Sequence, residues 1–393
     1  MPDKIARADV VGSLLRPDYL TKAKDRMREG GIDREELRRL EDQAVIEAIE
    51  LQEAAGIQAI TDGEMRRTSW ITFIPLLDDP LFEAPVSGFE FLEADAGWVG
   101  LWKEADGKPV PAETIREAFH MPREPFITSK LELKRDIARD EYAFLKEHAR
   151  GRTKFNIPSP SWHRIFWHPD YSKDAYPTSD DFIAAVADFY REHIVEPLLS
   201  MGCDYIQLDA PNYAQWHIDP DNRAAFERNG HDMTHELVAD AEFDNKVFEG
   251  IGSNVTTGIH LCRGNAPRGV YLASGGYEAI ASEIFPRWSN INTLLLEYDS
   301  ERAGGFEPLA ETQDHQVVVL GLVTTKDAKL EKDEVVTGRI NEAAKVVPLE
   351  RLALSPQCGF ASGEFADTMT LAQEKAKLEL VGRIARKVWG DQE

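Results

Sequence analysis

Residues 291–323, INTLLLEYDSERAGGFEPLAETQDHQVVVLGLV, hold the pattern that decides the fold. Two short apolar runs, 291–296 and 317–323, flank a polar connection, and each has the length of a buried strand. Runs of the same kind recur at 8–12, 57–61, 153–157, 204–208, 256–261 and 352–355. Between them lie apolar residues at helical spacing. Leu37, Leu40, Val45, Ile46 and Ile49 form one stripe, and Phe182, Val186, Phe189, Ile194 and Leu198 form another. A last helix is expected over about 364–388. Eight strands alternating with helices predict an α/β protein, a single (β/α)8 TIM barrel spanning residues 1–393. No G-x-G-x-x-G opens a helix after a strand, which argues against an open doubly wound sheet.

Residues 78–147 break this rhythm with Pro80, Pro85, Pro109, Pro111, Pro122 and Pro125. They read as an insertion near the barrel mouth, with Phe82, Phe89, Phe91, Trp98 and Trp102 packing over it. A second irregular stretch, 158–178, is rich in Trp, His and Pro. The 393 residues are 42% apolar and 29% charged, as expected of a globular chain that buries a large core. Lys and Arg number 45 against 69 Asp and Glu, a formal net charge of −24. That surplus argues against nucleic-acid or anionic-membrane partners, both of which need a cationic face. No apolar run is long enough to cross a bilayer or to form a signal peptide, and the three cysteines are too few for a disulfide scaffold. A cytoplasmic location is expected.

Two of those cysteines lie just beyond candidate strands. His260 and Cys262 are spaced i, i+2, so an extended backbone aims both to one side. Cys358 follows the run at 352–355, and Glu297 ends the run at 291–296. One imidazole, two thiolates and a carboxylate at neighbouring strand ends make a tetrahedral zinc set, at the face where barrel active sites lie. Cys203 precedes a strand and reads as core. His231 and His235 share a helical face without an H-E-x-x-H, so a surface pair is the simpler reading.

Six motifs then appear in order: V-G-S at 11–13, T-D-G-E at 61–64, I-Q-L-D at 206–209, H-L-C-R-G-N at 260–265, L-E-Y at 296–298 and S-P-Q-C-G-F at 355–360. With these the chain resembles the cobalamin-independent methionine synthase family, in its catalytic C-terminal barrel and its single-barrel relatives. The resemblance implies that His260, Cys262, Glu297 and Cys358 are ligands of Zn2+. It implies that Glu64 and Asp209 hold the substrate ammonium, with Gly12 and Ser13 in the substrate-contacting loop. Trp162 falls roughly where the family stacks its pterin donor. The implied reaction is zinc-dependent transfer of a methyl or alkyl group to a small thiol, homocysteine giving methionine. The implied partners are that thiol and a methyl or alkyl donor, a methyl-donor protein among them.

The chain departs from the long synthases at three points. Their first barrel is absent. Asp209-Ala210-Pro211 stands where they have Asp-Glu-Pro, and Lys326 occupies the place of the histidine that protonates the leaving pterin. A lysine fills that role only with its pKa lowered by burial. The donor is therefore open. The single-barrel branch includes methyl transfer from methylcobalamin proteins and epoxide opening by coenzyme M, whose sulfonate would need cations such as Arg16, Arg66, Arg67 or Arg263. A non-catalytic zinc- or thiol-binding barrel is the remaining alternative.

Overall fold

The computed structural model describes residues 1–71, 85–93, 99–104, 106–118, 123–265, 270–363 and 368–390. Its strands are β1 (Val86–Leu92), β2 (Glu124–Leu133), β3 (Phe155–Pro158), β4 (Tyr205–Asp209), β5 (Thr256–Leu261), β6 (Thr293–Glu297), β7 (Val317–Val323) and β8 (Leu352–Pro356). Strands β3 to β8 form one parallel sheet in chain order. Two extended segments complete the ring. Ala8 bridges to Leu354 and Ile60 to Thr153, both in parallel, and the Gln58 N–H donates to the Ala8 carbonyl at 2.9 Å. The architecture is the (β/α)8 barrel.

The segments expected as the first two strands pair through isolated bridges because side chains take over the ladder. The Gln58 Oε1 accepts the Arg7 and Ala8 N–H groups, Asp9 accepts that of Val10, and Gln52 accepts that of Thr61. Elsewhere the strands alternate as a two-residue period requires. Leu294, Leu296, Val318 and Leu320 join the large core beneath the helices, while Leu295, Val317, Val319 and Ala353 form a separate cluster inside the barrel.

The first predicted stripe lies on helix Arg34–Ala55, started by the Asp33 side chain, which accepts the Glu36 N–H, and ended by Gly56 at φ 82°. The second lies on Ser179–Tyr190, which runs through a π-turn at Arg191–Val195 into Glu196–Ser200. Pro197, with no N–H to donate, sits in that last turn. The final helix is Leu371–Trp389, starting later than the expected 364 because Thr370 and Gln373 form a reciprocal cap. Residues 364–367 lie outside the described residues.

Within the 78–147 stretch, β1 and β2 pair antiparallel. Phe89 meets Phe166 and Phe182 edge-on, at 6.1 and 6.3 Å between centroids, and Phe91 lies under Arg123. Phe82 and Trp98 are outside the described residues. The stretch ends in helix Ile137–His148, which packs against Arg34–Ala55 and Glu196–Ser200. No described helix is long and apolar enough to cross a membrane.

Candidate active site

The inward positions of the strands rise to a cleft at their C-terminal ends, enclosing about 760 Å³ with its open mouth included. His260 near the end of β5, with Cys262 just past it, and Cys358 just past β8 converge there. One ligand atom of each lies within 4.8 Å of the others, and all three residues are buried. The Cys262 and Cys358 sulfurs are 3.9 Å apart. Two thiolates bound tetrahedrally to zinc at ~2.3 Å stand about 3.8 Å apart, so the spacing fits the metal. The imidazole fits as well. Its Nδ1 lies 3.1 Å from the Leu295 carbonyl, which orients the ring, and its buried Nε2 has no hydrogen-bond partner. The Cys358 thiol and His260 push the Cys262 pKa well down, and Cys262 together with burial pushes that of Cys358 well up.

Glu297 stands beside this trio without joining it. At the end of β6 it is fully buried, with Oε2 accepting the Arg263 backbone N–H at 2.6 Å. Its Oε1 lies 3.0 Å from the Lys326 Nζ and 3.6 Å from Arg302. Burial pushes this carboxyl up, but Lys326 and Arg263 outweigh it and hold the pKa at about 2. The same pair corrects the expectation for Lys326. Burial favours its neutral form, yet Glu297 and Asp299 overcome that and raise its pKa. The lowered value that a proton donor needs is absent, and Lys326 does not line the cleft.

Glu64 and Asp209 line the same cleft, Asp209 at the end of β4 in register with His260 on β5. Glu64 has φ 57°, the sole positive φ at a non-glycine among the described residues, in a turn where Asp62 accepts its N–H at 2.9 Å. That left-handed backbone costs about 1–3 kcal/mol, which the surrounding contacts must hold. Asn156 on β3 donates its amide both to Glu64 Oε1 and, at 3.3 Å, to Asp209 Oδ2. Gln207 donates to Asp209 Oδ1 at 2.5 Å. Arg67 is 3.7 Å from Glu64 but is bound more closely to Glu141, at 2.9 Å. Glu64 Oε2 is buried with no partner. Burial, with Asp209 adding to it against the pull of Arg67, raises the Glu64 pKa to about 7. Burial raises that of Asp209 too.

Gly12 is required where it stands: a Cβ there would lie 2.5 Å from the Asn156 amide and 2.9 Å from Glu64 Oε1. Ser13 and Trp162 line the cleft. Sequence reasoning missed Asn156, an uncharged residue whose only signal is its place near the C-terminal end of a strand. It also missed Trp70 and Trp216, which lie on an irregular segment and a short helix, while Trp102, expected over the barrel mouth, does line the cleft.

The remaining sequence candidates go elsewhere. Arg16 donates to the carbonyls of Glu64, Arg67, Ala361 and Gly363. Arg66 pairs with Asp42, and Arg263 binds the carbonyls of Gly275 and Glu297. His231 binds Glu236 and His235 binds Asp180, so the two do not converge. Cys203 is buried, with its sulfur 3.3 Å from the Tyr205 carbonyl.

The catalytic-domain model of cobalamin-independent synthases matches residues 289–377, which hold Glu297, Lys326 and Cys358. The uncharacterized protein YxjH of Bacillus subtilis is 35% identical over 98% of this chain and 94% of its own length. A methionine synthase of Saccharolobus solfataricus is 23% identical over 89% of the chain and 86% of its own length. Among solved structures, a Listeria monocytogenes protein assigned as a vitamin-B12-independent methionine synthase superposes with a TM-score of 0.70. It is 25% identical, over 99% of this chain and all of that one. A B12-independent methionine synthase from Shewanella, 18% identical over 98% of each chain, shares the fold at the same TM-score. The chain belongs to the cobalamin-independent methionine synthase family.

Proposed function

We propose that this barrel methylates a small amino thiol, homocysteine giving methionine, at a zinc centre held by His260, Cys262 and Cys358. One observation carries the reading: the same cleft that holds these three groups holds two buried carboxylates, one with a partnerless oxygen. Zinc bound there would supply the positive charge that makes a substrate thiol ionise near neutral pH. Cys262 and Cys358 keep that centre electron-rich, and the Leu295 carbonyl fixes the His260 ring. Glu297, tied to Lys326, fixes the backbone next to Cys262 through the Arg263 N–H.

Glu64 and Asp209 would receive the substrate ammonium, which removes the cost of burying two carboxylates side by side. Asn156 keeps both in place, Ser13 lines the cleft beside them, and Gly12 lets the chain pass close to Asn156 and Glu64. A sulfonate thiol such as coenzyme M is disfavoured, because Arg16, Arg66, Arg67 and Arg263 are engaged elsewhere and none lines the cleft. A barrel that only stored zinc would have no use for the carboxylate pair Glu64 and Asp209. Adding homocysteine to zinc-loaded protein near pH 7 should release about one proton per chain more than adding it to chelator-stripped protein, since any proton that Glu64 gives up is common to both. Equal release from both preparations would overturn the reading.

A further inference from the structure

Two buried carboxylates compete for the guanidinium of Arg67. Its Nη1 donates to the Asn156 carbonyl at 3.0 Å and stands 3.7 Å from Glu64 Oε1. The other edge of the fork belongs to Glu141, on helix Ile137–His148. There Nε and Nη2 both donate to Glu141 Oε2, at 3.1 and 2.9 Å. Arg67 and Glu141 are both buried, and Arg16 and Lys24 donate to the Arg67 carbonyl, which fixes its backbone. The outer carboxylate therefore has the closer and better-formed contacts. The electrostatics agree. Burial opposes the charged form of Arg67, yet Glu141 first and Glu64 second outweigh it and raise its pKa. On Glu64 burial wins over Arg67, and the pKa rises to about 7. An arginine closed on Glu64 would cancel the charge that an ammonium group needs.

We propose that Glu141 is a positioning residue for substrate selection: it holds Arg67 off Glu64 and so leaves the carboxylate pair of the cleft available to an ammonium group. The proposal rests on the reading of Glu64 and Asp209 as the ammonium site. Neither Glu141 nor Arg67 lines the cleft, so part of the preference for an amino thiol is set from a helix outside it. Glu141→Gln keeps the size of the side chain and its hydrogen-bond acceptor but removes its charge. The strongest attraction left on Arg67 is then Glu64, already 3.7 Å away.

The test is calorimetry on full-length zinc-loaded protein with homocysteine and with 4-mercaptobutanoate, the same thiol without its amino group. The wild type should favour homocysteine. Glu141→Gln should cut that preference by about ten-fold, through homocysteine alone, with 4-mercaptobutanoate bound as tightly as before. Glu141→Asp, which keeps the charge, should retain most of the preference. The double variant Glu141→Gln/Arg67→Gln removes the cation together with its partner and should regain what Glu141→Gln lost. A merely structural role would weaken both thiols together, and the second substitution would add to the damage. An unaltered preference in Glu141→Gln, an equal loss of both thiols, or a double variant that binds 4-mercaptobutanoate without regaining the preference would overturn the proposal. A wild type that does not favour homocysteine would overturn the ammonium reading itself, whereas a preference that is present and indifferent to Glu141 would leave that reading standing.

Discussion

The barrel interior buries charge at two levels, and the two are built differently. At the floor, Lys154 and Asp9 form an ion pair at 3.0 Å, both almost inaccessible, and the Tyr205 hydroxyl donates to Asp9 at 2.6 Å. Lys154 also donates to the Val10 carbonyl. Every charge there has its counter-charge. At the rim, Glu64 and Asp209 are like charges joined by an amide, the nearest cation is shared with Glu141, and one carboxylate oxygen has no partner. The cost of removing water is similar at both levels. A floor that compensates it within the protein serves stability, and a rim that leaves it uncompensated waits for a ligand.

Breaking the floor should do the most. Asp9→Ala strands a buried lysine and should lower unfolding stability by about 3–5 kcal/mol in denaturant titrations. Asp209→Asn at the rim should cost less than about 1 kcal/mol, since it relieves like-charge repulsion. The rim should instead show itself in pH dependence. Glu64 has its pKa raised from 4.5 to about 7, so the folded state binds its proton more tightly than the unfolded one. Stability from this group is therefore full below pH 4.5 and lost as pH rises through 7. A shift of about 2.5 units makes this about 3 kcal/mol. Glu64→Gln should flatten that slope in ligand-free protein, and bound homocysteine should flatten it in the wild type.

Next in size, Cys262→Ser and Cys358→Ser should each weaken zinc binding by about 100-fold or more in chelator competition, with turnover lost in step. The smallest effect belongs to the exposed His235–Asp180 pair. His235→Ala should change stability by less than about 1 kcal/mol and leave metal content unaltered.

Much of this arrangement is legible in the sequence, because strand ends and period-two alternation carry spatial information. Six of the eight expected runs are ladder strands, and His260, Cys262 and Cys358 come together as their spacing at strand ends implies. The two weak runs show only short apolar stretches in the sequence, and nothing in that pattern says that Gln52, Gln58 and Asp9 take the ladder bonds. Glu297 shows the same limit. Its place at a strand end is visible, but which neighbour it binds depends on Lys326, 29 residues later in the chain. Asn156 and Trp216 stayed hidden because neither carries a charge or a motif. Their importance comes only from what the fold sets beside them.

The claim that one cleft holds both ends of an amino thiol is tested most directly by comparing homocysteine with its des-amino analogue, 4-mercaptobutanoate, on zinc-loaded protein by calorimetry. Homocysteine should bind about ten-fold or more tighter to the wild type, and that advantage should vanish in Asp209→Asn while the analogue binds as before. Equal affinity of the two thiols for the wild type, or an advantage that survives Asp209→Asn and Glu64→Gln together, would contradict the account.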